Sequence, residues 1–85
     1  MIKRTIAVLV PGGLTSRVAA RVVRHAQDYV CKIECERENG RTSMKSLMAV
    51  LSLGLGHGEQ ITIITDGEDE GVAMDKLEAL LSGEE

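Results

Sequence analysis

Hydrophobic positions along the chain switch between apolar runs, strict alternation and a helical period, and turn residues mark most of the switches. Residues 2–9 read as a strand, stopped by Pro11-Gly12-Gly13. Residues 16–27 have helical spacing: Val18, Val22, Val23 and Ala26 share a face, and Arg17, Arg21 and Arg24 form a narrow stripe opposite. From Tyr29 to Arg37 the pattern alternates, with Cys31, Ile33 and Cys35 on one side and Lys32, Glu34 and Glu36 on the other. Asn39-Gly40 predicts a hairpin, so residues 41–44 pair back as a further strand. Ser46 stands as an N-cap before a short helix, 47–53, which Gly54, Gly56 and Gly58 end. Gln60 to Thr65 is β-branched and strand-like, Asp66-Gly67 turns the chain, and residues 69–82 form a last helix whose apolar face is Ala73, Leu77, Leu80 and Leu81.

The order is therefore β-α-β-β-α-β-α. Half-polar alternation on the second strand predicts an antiparallel sheet of four strands with one wet face, and the three helices cover the other. That is an α+β chain built as an open-faced sandwich. At 85 residues, and without a repeat or a linker, it is expected to form one domain over residues 1–85. Tyr29 is the sole aromatic residue, so aliphatic side chains and four Met fill the interior. The same scarcity argues against single-stranded nucleic-acid binding, which uses aromatic stacking platforms.

Charge is unevenly spread. Residues 1–30 carry Lys3, Arg4, Arg17, Arg21 and Arg24 against Asp28, whereas residues 59–85 carry nine acids against Lys76. A basic and an acidic face suit an acidic partner or an anion; the alternative is solvated helix faces with no special partner. The apolar run Ile6 to Val10 is too short for a signal peptide, and no stretch approaches the roughly 20 apolar residues of a membrane span, so a cytoplasmic protein without membrane insertion is expected. Cys31 and Cys35 share a strand face about 13 Å apart at roughly 3.3 Å per residue, beyond the roughly 7 Å a disulfide tolerates. Buried structural thiols are expected, with no metal site, since neither Cys-x-x-Cys nor paired His spacing accompanies them.

Two helix starts could carry chemistry. Gly12-Gly13-Leu14-Thr15-Ser16-Arg17 could present backbone N–H groups to an anion, with Gly13, Thr15, Ser16 and Arg17 around it; alternatively Thr15 or Ser16 is a helix cap. At Lys45-Ser46-Leu47-Met48-Ala49-Val50-Leu51 the helical wheel sets Val50 and Leu53 on one side and Leu47, Met48 and Leu51 on the other. A helix this short and apolar all round is either wholly buried or reserves a face for a partner. Because helices form the outer layer, an exposed Leu47/Met48/Leu51 contact patch is expected.

Gly54-x-Gly56-x-Gly58 follows a helix and precedes a strand, the reverse of a dinucleotide fingerprint, and reads as a loop. His57 lies in that loop, and His25 on the polar flank of the first helix. Glu68-Asp69-Glu70 reads as charge favouring the N-terminus of the last helix. No nucleophile–base–acid set can be assembled, so no enzyme activity is expected, and no cofactor.

Pro11-x-Gly13-Leu14-x-x-Arg17-x-Ala19, Lys45-Ser46-Leu47-Met48 and Ser52-Leu53-Gly54, continuing into Ile61-Thr62-Ile63 and Asp66-Gly67-Glu68-Asp69-Glu70, occur in an order and spacing that resemble the HPr family of the sugar phosphotransferase system. The resemblance spans nearly the whole chain and implies the same open sandwich. In the family pattern Gly-[Leu/Ile]-His-x-Arg-Pro-Ala, the histidine relays a phosphoryl group from enzyme I to sugar permease components. Thr15 occupies that place here and Val18 that of the proline. A threonine phosphate ester is stable and a poor donor, so relay through position 15 is expected to be lost.

The resemblance implies further that Ser46 matches the regulatory serine phosphorylated from ATP by HPr kinase/phosphorylase. The modified protein is then expected to bind a LacI-type catabolite control regulator. Leu47, Met48 and Leu51, bordered by Arg17, Ala20, Arg24 and Lys45, match the docking surface. Loss of the histidine with retention of the serine resembles the catabolite-repression branch of the family. The alternatives are a phosphocarrier altered at position 15 and a non-catalytic adaptor for enzyme I or permease domains.

Overall fold

Among the described residues four strands and three helices follow one another as β1 (Ile2–Ala7), α1 (Ser16–Ala26), β2 (Lys32–Arg37), β3 (Gly40–Ser43), α2 (Leu47–Leu51), β4 (Gln60–Asp66) and α3 (Glu70–Ser82). The structure is a computed structural model and describes residues 1–38 and 40–84. Asn39, half of the hairpin signal, lies outside the described residues, but β2 and β3 do pair antiparallel, from Glu34↔Ser43 to Arg37↔Gly40.

The sheet runs in the order β1-β4-β2-β3, with every neighbouring pair antiparallel. Period-two side-chain alternation sends Ile6, Ile33, Cys35, Ile61 and Ile63 into one buried cluster with Ala19, Val22, Val23 and Ala26 of α1 and Ala73, Met74, Leu77, Leu80 and Leu81 of α3. The opposite face is polar, with ion pairs from Lys3 to Glu36 at 2.7 Å and from Arg41 to Glu36 at 3.6 Å. Ile64 breaks the polarity of that face. It is fully buried there between its cross-strand partners Lys3 and Glu34, whose long side chains shield it.

Several element ends differ from the sequence pattern, each for a visible reason. The strand expected over residues 2–9 stops at Ala7 because the chain bends towards α3, where Leu9 and Val10 N–H both donate to the Leu81 carbonyl at 2.9 and 3.3 Å. β2 starts at Lys32 rather than Tyr29 because the N–H groups of Val30 and Cys31 go to the Asp69 carboxylate. α2 closes at Leu51 rather than residue 53: Ser52 Oγ donates back to the Ala49 carbonyl at 2.8 Å, and Leu53 N–H bonds the Val50 carbonyl in a tighter turn.

The charge imbalance is partly cancelled in space. Arg4 of β1 reaches the Asp75 and Glu78 carboxylates of α3 at 3.2 and 2.7 Å, and the Met1 amine lies 3.0 Å from Glu70. Among the described residues no helix is long and apolar enough to cross a membrane.

Candidate functional site

Thr15 and Ser46 occupy the same structural position on two different helices. Thr15 is the N-cap of α1, and its Oγ1 accepts the Val18 N–H at 3.3 Å. Ser46 is the N-cap of α2, and its Oγ accepts the Ala49 N–H at 3.3 Å. Short polar side chains suit this position because they satisfy a backbone donor that the helix itself cannot. Both hydroxyls are solvent-exposed, and both bonds are long, so neither oxygen is strongly held.

The segment leading into α1 uses its own donors internally. Gly13 N–H bonds the Val10 carbonyl, Leu14 N–H the Leu55 carbonyl at 2.8 Å, and Thr15 N–H the Gly13 carbonyl. Three N–H groups of the candidate anion cradle are therefore already committed. Gly13 has φ +74°, and a Cβ there would stand 2.7 Å from backbone atoms of Gly56 and His57. This glycine lets the Thr15 loop lie directly against the 54–58 loop. His57 itself is exposed, and His25 lies half-buried on α1.

α2 is divided as its wheel demands. Val50 is fully buried, whereas Leu47, Met48 and Leu51 are 42%, 79% and 39% exposed. The three form an apolar surface immediately after Ser46. α1 packs against α2, and its Arg17, Ala20 and Arg24 face solvent.

The basic side chains around this surface are not equivalent. Among the described residues the Arg17 and Arg24 side chains make no hydrogen bond or ion pair, so their charge is available to a partner. Lys45 is engaged: its Nζ donates to the Tyr29 carbonyl at 2.6 Å, its N–H to Ser43 Oγ at 3.1 Å, and its carbonyl accepts from Gln27 Nε2 at 3.0 Å. Gln27 and Tyr29 carry no sequence signal for this role, because the contact joins segments about 16–18 residues apart and neither residue type is distinctive.

The acidic run 68–70 does more than favour a helix end. Asp69 holds the N-cap place of α3 but makes no side-chain cap there; its carboxylate instead accepts from the Val30 and Cys31 N–H groups. Burial pushes this carboxyl up, but the donated hydrogen bonds from Val30 and Cys31 prevail and hold it below the usual range. The Cys31 thiol is pushed up to about 11, first by burial and then by its hydrogen bond to Asp69. Burial also raises Cys35, and both cysteines are free. Among the described residues no group of three or more His, Cys, Asp or Glu side chains could hold a metal ion.

The pattern described as the PTS HPr component phosphorylation site matches residues 2–83. The HPr-like protein Crh of Halalkalibacterium halodurans is 36% identical over 84 residues, covering 99% of this chain and 100% of that protein. Phosphocarrier protein HPr of Cupriavidus necator is 34% identical over 82 residues, covering 96% and 92%. Among solved structures, HPr-C-His from Thermoanaerobacter tengcongensis superimposes with a TM-score of 0.88 at 33% identity, covering 100% of this chain and 99% of that one. The chain belongs to the HPr family of the sugar phosphotransferase system, whose members are phosphocarriers rather than enzymes in themselves.

Proposed function

We propose that this chain is a cytoplasmic regulatory protein of carbon catabolite repression, working as one domain. In this reading HPr kinase/phosphorylase phosphorylates it at Ser46, and the modified form binds a LacI-type catabolite control regulator. It does not relay phosphoryl groups, because Thr15 stands where the family pattern has its histidine. The observation that carries the reading is the juxtaposition of the exposed Ser46 hydroxyl with the exposed Leu47/Met48/Leu51 surface. Similarity to proteins named Crh supports the same branch.

The chemistry follows from position. A phosphate on Ser46 adds roughly −1.5 to −2 charge beside an apolar surface. It thereby changes which partner surfaces fit, while the unpaired Arg17 and Arg24 meet acidic groups on the partner. Thr15 Oγ1 offers no imidazole nitrogen to attack at neutral pH, and its ester would not pass the group on.

Binding to the regulator tests this. The phosphorylated protein is expected to bind at least tenfold more tightly than the unmodified one, and Met48→Ala is expected to weaken that binding without unfolding the chain. Equal affinity of the two forms contradicts the reading. An adaptor for enzyme I or permease domains is the second reading, favoured by the fact that the apolar surface is exposed before any modification. It predicts NMR shifts over residues 47–51 on titration with unphosphorylated enzyme I, and no shifts at high concentration would remove it.

A further inference from the structure

Two hydrogen bonds running in opposite directions tie the segment before Ser46 to the turn that leaves α1. Gln27 Nε2 donates to the Lys45 carbonyl at 3.0 Å, and Lys45 Nζ donates to the Tyr29 carbonyl at 2.6 Å. With the Lys45 N–H on Ser43 Oγ at 3.1 Å, the N–H, the carbonyl and the ammonium of Lys45 are all engaged. The carbonyl that Gln27 holds belongs to the peptide joining Lys45 to Ser46.

That peptide needs an external hold. α2 has five residues, far below the length at which a helix sustains itself, and no acidic residue occupies its first turn. The Ser46 cap bond is long at 3.3 Å. A lysine next to an acceptor serine would ordinarily be taken as the counter-ion of the phosphate. Here its ammonium faces the Tyr29 carbonyl instead, and on the neighbouring α1 Arg17 and Arg24 carry uncommitted charge.

We infer that Gln27 and Lys45 are positioning residues for phosphoryl transfer to Ser46, fixing the 45–46 peptide so that the hydroxyl is presented in one orientation. The inference rests on the reading of Ser46 as acceptor. In the transfer the Ser46 Oγ–P bond forms as the bond between the γ-phosphorus of ATP and its bridging oxygen breaks. ADP leaves, and the hydroxyl proton passes to a base of the kinase. A hydroxyl held in place reacts faster once bound, whereas docking depends on the apolar surface. Loss of the clamp therefore acts on kcat.

Steady-state kinetics of HPr kinase/phosphorylase with ATP, on the wild type, Gln27→Met, Gln27→Lys and Ser46→Ala, tests this. Gln27→Met keeps the side-chain length and removes the donor; Gln27→Lys restores an N–H donor. The expected result is a kcat about fivefold lower for Gln27→Met, the equivalent of one lost hydrogen bond, with KM within about twofold and most of kcat recovered by Gln27→Lys. Hydrogen exchange at the Ala49 amide, which donates to Ser46 Oγ, is expected to quicken in Gln27→Met by a similar factor. Wild-type kcat and wild-type Ala49 exchange in Gln27→Met overturn the inference, as does a change confined to KM, which would make Gln27 a docking residue. A wild type that accepts no phosphate overturns the acceptor reading itself, and is recognised before any variant is compared.

Discussion

Asp69 holds the approach to β2 through Cys31: its Oδ1 accepts the Cys31 N–H at 2.9 Å while its Oδ2 accepts the neighbouring Val30 N–H at 3.0 Å. Gly67 makes the approach possible, since a Cβ there would stand 2.7 Å from Cys31 Cα and Cβ. The start of α3 and the start of β2 are thus joined by one carboxylate and one missing side chain.

This pairing sets an acid limit on stability. Asp69 and Glu70 are both held below the usual carboxylate range, Asp69 by the Val30 and Cys31 donors against burial, Glu70 chiefly by the Gly67 N–H. Groups depressed on folding stabilise the protein above their unfolded pKa, near 4, and lose that contribution as pH falls through the folded value. The urea midpoint is therefore expected to hold from pH 7 to about pH 5 and to fall below about pH 4. Asp69→Asn should lower the midpoint at pH 7 and flatten the acid fall. An unchanged midpoint and acid limb in that variant would refute the role given to Asp69.

Substitutions on α2 should separate surface from core. Met48 is 79% exposed and Val50 is fully buried, although they are two residues apart. Met48→Ala is expected to change unfolding free energy by less than about 0.5 kcal/mol, and Val50→Ala to cost about 2 kcal/mol. Paired urea titrations decide it. A Met48→Ala cost comparable to that of Val50→Ala would place Met48 in the core and remove the docking surface.

Gly13 and Gly54 make a similar contrast. Both have positive φ, but a Cβ at Gly13 meets the Gly56–His57 backbone, whereas at Gly54 nothing lies within 4 Å. Gly54→Ala is expected to cost about 1 kcal/mol and Gly13→Ala at least about 3 kcal/mol, strain and overlap combined. Equal costs in thermal unfolding would mean that the two loops are not in fixed contact.

The buried thiols should be inert in the native state. With Cys31 pushed up to about 11 and Cys35 raised by burial, iodoacetamide at pH 7.5 is expected to label neither until denaturant is added. Rapid native labelling of either cysteine would contradict the packing described.

Periodicity carried most of the element order, because most elements had a dry face to declare; β3, which buries no residue, was legible only from the turn signal before it. Cys31/Ile33/Cys35 on β2 and Leu77/Leu80/Leu81 on α3 are both pattern and core. Leu47, Met48 and Leu51 could be set apart from Val50 on a wheel for the same reason. Three features were hidden from that reasoning. Ile64 is dry on the polar side of the sheet, since its shelter comes from the side chains of neighbouring strands. Asp69 bonds a segment 38 residues away from its own helix end. The Gln27–Lys45 clamp joins a turn to a loop through ordinary polar residues, and only tertiary folding brings them together.

The central claim is a stable modification of Ser46 without relay at Thr15, and intact mass reads both together. The protein and its Ser46→Ala variant are incubated with ATP and HPr kinase/phosphorylase, beside a tube holding enzyme I and phosphoenolpyruvate. The account predicts one phosphate from ATP, none in the variant, and none from enzyme I. A phosphate acquired from enzyme I, or none acquired from ATP, would contradict it.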